Sequence, residues 1–292
     1  MIAPMNPACT DQRGARSILV VTAALFACLA LAGCETTSGA VGISGPRIAE
    51  VDAPDAAFSD NIGSLSEVVR RNPNSPEPYN TRGSAYARGG RYQEAIADFT
   101  QAVRLDANYA AAYTNRALAL RQSGRNDAAL ADFGRAVTAD PNNASAYLGR
   151  ANLLRTQGNL QDAMADLDRA IKLNPEGPQA FHARGLIHQR NGDHPRAITD
   201  FDNAIDRDPF SAPPYIARGQ SLTAVGKVEL AVEDFNAALN IDNRNGDAWA
   251  GLGVAYEKQG NKAKAQESFG RALVVDPNNR SARDGQSRTG RG

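Results

Sequence analysis

Residues 144–177 read ASAYLGRANLLRTQGNLQDAMADLDRAIKLNPEG, and residues 178–211, directly after them, read PQAFHARGLIHQRNGDHPRAITDFDNAIDRDPFS. Superposed, the two 34-residue stretches share an aromatic ring at position 4 (Tyr147, Phe181) and a small residue at 8 (Ala151, Gly185). They also share Gly at 15 (Gly158, Gly192), Ala at 20 and 27, and Pro at 32 (Pro175, Pro209). The frame extends both ways without an insertion or deletion: first positions fall at Pro76, Ala110, Ala144, Pro178, Ala212 and Gly246, giving six units that end at Asn279. Position 24 is Phe in five units and Leu167 in the third.

Each unit reads as two helices. Positions 4, 8 and 11 fall on one helical face and positions 20, 24 and 27 on another. Gly at 15 closes the first helix and Pro at 32 forbids the second from running on. Small residues at 8 and 20 let the two backbones approach, and the ring at 24 fills what remains. A single pair of helices has no second layer to cover its apolar face, so the units must stack.

The pattern resembles the tetratricopeptide repeat, over about 70% of the chain (204 of 292 residues). That resemblance implies an all-α fold: a right-handed superhelical solenoid of six helix-turn-helix repeats at 76–109, 110–143, 144–177, 178–211, 212–245 and 246–279. Repeats 1 and 5 have Ala107 and Asn243 instead of Pro at position 32, which predicts less sharp turns there. The phase extends backwards through Leu65, Val68 and Pro73, so residues 57–75 are expected to be a partial repeat whose helix, from about 57 to 71, caps the array. Residues 280–292 have no apolar face and four Arg against Asp284, and are expected to be a short fray and a disordered basic tail.

Composition agrees with an all-α fold: Ala makes up 52 of 292 residues and aromatics only 18. Charge balances at 32 Lys+Arg against 32 Asp+Glu, which argues against a nucleic-acid partner. The cysteines, Cys9, Cys28 and Cys34, lie in the first 34 residues, so the repeats hold no disulfide and no Cys-based metal site.

Ahead of the repeats, Arg13 and Arg16 precede an apolar run from Ser17 to Leu31, shorter than the roughly 20 residues that span a bilayer as a helix. The run closes with Leu31-Ala32-Gly33-Cys34. This resembles the bacterial lipobox, which implies that residues 1–33 are a lipoprotein signal peptide and that Cys34 carries the covalent lipid; the alternative is a chance Cys ending an ordinary signal peptide. Glu35 stands where Asp would favour inner-membrane retention, so the expectation is a lipid anchor in the outer membrane facing the periplasm. Residues 34–56, rich in Gly, Ser, Thr and Pro, read as a flexible tether.

No phosphate loop, H-E-x-x-H, G-x-S-x-G or C-x-x-C motif is present, so the expected function is non-catalytic, with no cofactor beyond the lipid. His182, His188 and His194 cluster in repeat 4, but a spacing of six spreads them around a helix, so they read as surface or packing residues. In tetratricopeptide proteins the first helices line a concave face, which places a partner-binding groove at Asn80, Ser84, Arg88, Thr114, Leu118, Arg121, Leu148, Asn152, Arg155, His182, Leu186 and Arg190. It would accept an extended or helical peptide, amides taking its backbone and Arg its acidic groups. The alternative is that these Arg complement the C-terminal dipole of their helices. The resemblance implies an adaptor for cell-envelope proteins, or a pilotin or assembly factor for a pilus or secretion system; the partner and the oligomeric state are not legible.

Comparing the repeats with one another adds a structural expectation. Position 7 is Arg in five units (Arg82, Arg116, Arg150, Arg184, Arg218) and position 23 is Asp in the same five (Asp98, Asp132, Asp166, Asp200, Asp234). Repeat 6 has Leu252 and Ser268 in those places. The joint change predicts an Arg–Asp pair inside each of repeats 1 to 5, unless the terminal unit diverged at two independent positions.

Overall fold

The computed structural model describes residues 53–290, so the signal peptide, Cys34 and the tether up to residue 52 lie outside the described residues. Among the described residues fourteen helices follow one another: α1 (Ala53–Arg71), α2 (Pro76–Arg88), α3 (Tyr92–Leu105), α4 (Ala110–Gln122), α5 (Asn126–Ala139), α6 (Ala144–Gln157), α7 (Leu160–Leu173), α8 (Pro178–Arg190), α9 (His194–Arg207), α10 (Ala212–Ala224), α11 (Val228–Ile241), α12 (Gly246–Lys258), α13 (Lys262–Val275) and α14 (Arg280–Thr289). The same residues contain no strand. The structure is an all-α repeat array, each repeat pairing an even-numbered helix with the odd-numbered one after it, from α2/α3 to α12/α13.

Punctuation is set by two residues per unit. All six position-15 glycines have positive φ, from 73° to 85°, which an L side chain adopts only with strain. At the other end all six second helices stop at position 30, with or without a following Pro. Asp at 31 explains this: in five repeats its carboxylate accepts the backbone N–H two residues on, as Asp106 does from Asn108 and Asp242 from Arg244. The turns at Ala107 and Asn243 are therefore not less sharp than the others, since Asp106 and Asp140 have nearly the same backbone angles (φ −135°, ψ 104° and φ −136°, ψ 98°).

Each helix packs on its sequence neighbours, and each first helix also touches the next first helix. Second helices make no comparable contact with one another, so the first helices form the tighter, inner layer. Between the layers Phe99, Phe133, Leu167, Phe201, Phe235 and Phe269 are almost wholly buried. Each ring faces position 8 of its own unit and position 6 of the next, and at least one of those is Gly. A Cβ on Gly83 would stand 2.8 Å from Phe99, one on Gly185 2.6 Å from Phe201, and one on Gly149 2.5 Å from Phe133 Cζ. Where the ring is replaced by Leu167, both facing positions are Ala (Ala151 and Ala183). The smaller Leu167 is thus matched by a larger residue where the other units have Gly, as close packing favours.

The two ends depart from expectation. Helix α1 starts at Ala53, inside the stretch read as tether, because Pro54 suits the first turn of a helix, where no N–H bond is lost. It stops at Arg71, leaving 72–75 as a turn. Val68, in phase with the core alanines, is 44% exposed while Val69 is buried, since no first helix precedes α1 among the described residues to cover it. The basic tail is not disordered through 289: α14 is the first helix of a seventh unit, packed on α12 and α13. Asn279 caps it, accepting from the Ala282 N–H, and Ala282, Gly285 and Thr289 are buried at positions 3, 6 and 10. Gly285, with Gly253 of the preceding unit, accommodates the Phe269 ring. The outward side carries Arg283, Gln286 and Ser287, the polar end that a stacked array needs.

Candidate functional site

The array carries two populations of arginine. The first is the position-7 series. Nε and Nη2 of Arg82, Arg116, Arg150, Arg184 and Arg218 donate to both carboxylate oxygens of Asp98, Asp132, Asp166, Asp200 and Asp234 at 2.6–2.9 Å, each pair within one repeat. The five Asp are buried. These parallel two-point bonds raise the guanidinium pKa of Arg82, Arg150, Arg184 and Arg218, most for the last two.

A third contact was not legible in the repeat comparison. Nη1 reaches position 25 of the preceding unit: Ser66 from Arg82, Thr100 from Arg116, Asp168 from Arg184 and Asp202 from Arg218. Arg150 has no such bond, because that place is Gly134. Each guanidinium also lies 5.4–6.0 Å from the ring at position 4 of its own unit. Repeat 6 solves the same space without charge: Leu252 and Ser268 are both buried, and Ser268 Oγ donates to the Lys264 carbonyl. Four of these arginines join three helices and Arg150 joins two, and all five are committed to internal partners.

The second population lies on the first helices near their C-terminal ends: Arg88, Arg121, Arg155 and Arg190. Among the described residues none of the four has an ion-pair partner or a hydrogen bond through its guanidinium. Arg88 and Arg190 are exposed, Arg121 and Arg155 half-buried. Arg88 and Arg121 stand with Ser84, Tyr92, Leu118 and Gln122 around an open cleft of about 520 Å³ between α2, α3 and α4. Arg155 lies close enough to Arg190 and His182 to act on both electrostatically.

The expected groove residues therefore divide. Ser84, Arg88, Leu118 and Arg121 line one cleft, and Leu148 lines a separate small hollow between α6 and α8. Leu186 packs against the Phe201 cluster. Asn152 is half-buried. The amides of repeats 1 and 2 are not free to take a peptide backbone as expected. Asn115 Nδ2 donates to Asn80 Oδ1 at 2.9 Å, Asn80 Nδ2 to Tyr109 Oη at 3.3 Å, and Ser84 Oγ to the Asn80 carbonyl. Thr114 is buried, donating to the Ala110 carbonyl and accepting from Asn143. These bonds satisfy polar groups between neighbouring first helices, as partial burial demands.

The histidines do not converge. His188 Nε2 is 3.8 Å from Asp200 Oδ2, beside the Arg184 pair. His194 Nδ1 is buried without a partner. His182 packs its ring 5.8 Å from that of Phe201, and burial, then the Arg155 charge, push its pKa down to about 4. Unfolded, this group takes its proton near 6.5. Between pH 6.5 and 4 the unfolded chain therefore binds more protons than the folded one, so stability falls as pH falls through that window, by about 3 kcal/mol at pH 4. Urea unfolding at pH 7 and pH 4 should show the wild type losing about 3 kcal/mol more than His182→Gln; equal losses would contradict the buried, neutral state.

Models of the tetratricopeptide repeat match residues 114–180, 148–212 and 246–279, and a model of the TPR repeat matches 83–120 and 219–260. The chain belongs to the tetratricopeptide repeat family. No curated protein matches it in sequence. Solved tetratricopeptide structures share its fold at low identity. The APC/C hetero-tetramer Cut9–Hcn1 contains a chain with TM-score 0.70 and 18% identity over 80% of this chain, which spans 46% of that chain's length. PilF of Pseudomonas aeruginosa gives TM-score 0.67 at 16% identity, over 75% of this chain and 99% of PilF. YrrB, described as having an unusual peptide-binding site, gives 0.54 at 23% identity, over 65% of this chain and 97% of its own.

Proposed function

We propose that this tetratricopeptide protein is a non-catalytic docking platform, held to the outer membrane by a lipid on Cys34 and presenting the first-helix face of repeats 1 to 4 to other cell-envelope proteins. Tetratricopeptide arrays are protein-interaction scaffolds, and stacked small residues leave a surface rather than a deep pocket for chemistry. The observation that carries the docking reading is the contrast between the two arginine populations: five are closed in buried pairs, while four on the inner layer are left without an internal partner. The lipobox-like Leu31-Ala32-Gly33-Cys34 supports the anchor. Cys34→Ser should move the protein from the membrane to the soluble fraction with its melting temperature unchanged, and unaltered partitioning would contradict the anchor.

Within this reading the protein is an adaptor for cell-wall enzymes. A second role, as pilotin or assembly factor, is supported by the shared architecture of PilF and of PilW, the latter described as a type IV pilus biogenesis factor (TM-score 0.64, 19% identity), a likeness of fold. Affinity capture from envelope extracts, with Arg155→Glu as the control, separates the two. Peptidoglycan hydrolases or synthases lost by the variant favour the adaptor; a secretin or pilus subunit favours assembly. A partner retained equally by Arg155→Glu would count against this face.

A further inference from the structure

We infer that the segment docking on this face is an acidic peptide, with one of its carboxylates seated between Arg155 and Arg190. This rests on the docking reading above and specifies its chemistry. Arg155 Nε is shut off from solvent and has no hydrogen-bond partner. The reason lies in the neighbouring repeat. In repeat 4 the same position is Gln189, whose Nε2 donates to the Ala217 carbonyl and Ser221 Oγ of the following first helix. For Arg155 the residue equivalent to Ser221 is Ile187, whose side chain offers no acceptor, and the Ala183 carbonyl, equivalent to that of Ala217, is not bonded by it. A buried guanidinium nitrogen is thus left open where repeat 4, at the same position, satisfies its own donor.

Its surroundings favour an anion. Burial and the charge of Arg190 both lower the Arg155 pKa, and His182 beside it is neutral at pH 7. Among the described residues no carboxylate answers these two cations, nor Arg88 and Arg121 further along the same layer. Arg155 as a whole is half-exposed, so an arriving Glu or Asp side chain can meet its uncompensated charge beyond the enclosed Nε, together with that of exposed Arg190. Neutral recognition has less to work with, since Asn80, Asn115, Ser84 and Thr114 are already bonded to one another or to backbone. The cationic zone ends at repeat 4. Beyond it Lys258 donates to the Thr223 carbonyl, Glu257 holds Arg288, and Asp247 accepts from Asn279. A nucleic acid fits less well, because the position-4 rings of repeats 1 to 5, which could stack on bases, lie under the paired arginines.

The test is fluorescence anisotropy on the full-length protein in detergent, with three labelled probes: an alternating Glu-Ala dodecapeptide, the matching Gln-Ala dodecapeptide and an oligothymidylate. The Glu peptide should bind at least about tenfold more tightly than the Gln peptide, and weaken as salt rises. Arg155→Gln with Arg190→Gln should weaken the Glu peptide by about tenfold or more at an unchanged melting temperature, while Lys258→Gln leaves it alone. Equal affinity for the two peptides, both reduced by the double variant, would overturn the acidic chemistry and leave the docking face standing. Binding of neither peptide, or binding untouched by the double variant, would overturn both. Tighter binding of the oligothymidylate would overturn the inference in favour of a nucleic acid.

Discussion

Arg150→Leu should lower the unfolding free energy by about 3 kcal/mol, because it strands Asp166 in a site where its carboxylate is almost wholly buried. Of the five pairs this one isolates the interaction best. The other four arginines also bond to the preceding repeat, whereas Gly134 gives Arg150 nothing there. Adding Asp166→Ser copies repeat 6, where Leu252 and Ser268 occupy the same places and Ser268 satisfies its hydroxyl on the carbonyl four residues back. The double variant should recover most of the loss. Urea titrations of the two singles and the double give the coupling directly; a coupling near zero would mean that the paired geometry contributes nothing.

A second large effect is expected in the core between repeats 2 and 3. Gly149→Ala raises helix propensity by up to about 1 kcal/mol, yet the added methyl overlaps the buried Phe133 ring, so the net result should be a loss of about 2 kcal/mol. Combining it with Phe133→Leu reproduces the trio found around Leu167, an aliphatic side chain between two alanines, and should be less destabilising than the two single losses added together. Simple additivity would show that the ring and the glycine are not fitted to one another.

The repeat frame was legible because every unit must bury the same face, so the residues at 4, 8, 15, 20, 24 and 27 recur at fixed spacing. The Arg–Asp pairing was legible for a related reason: repeat 6 changes both positions together. Helix α14 was not legible because no second helix follows it among the described residues. Its positions 4 and 8 are Arg283 and Ser287, while the residues it buries, Ala282, Gly285 and Thr289, face the preceding repeat. The signal was present in the small residues at 3 and 6. The division of the groove was not legible, since Asn80 and Asn115 are 35 residues apart and their bond depends on how neighbouring first helices register. Nor does sequence alone distinguish the satisfied Gln189 from the open Arg155, because the difference rests on Ser221 against Ile187 across an inter-repeat contact.

The two arginine populations can be read separately by the NMR cross-peaks of their Nε–Hε groups, recorded on the full-length protein in detergent before and after saturation with the acidic dodecapeptide. Arg155 and Arg190 should shift most, with Arg88 and Arg121 following, while Arg82, Arg116, Arg150, Arg184 and Arg218, already held by their aspartates, stay in place. Shifts confined to the paired series, or a spectrum that does not change at all, would contradict docking on the first-helix face.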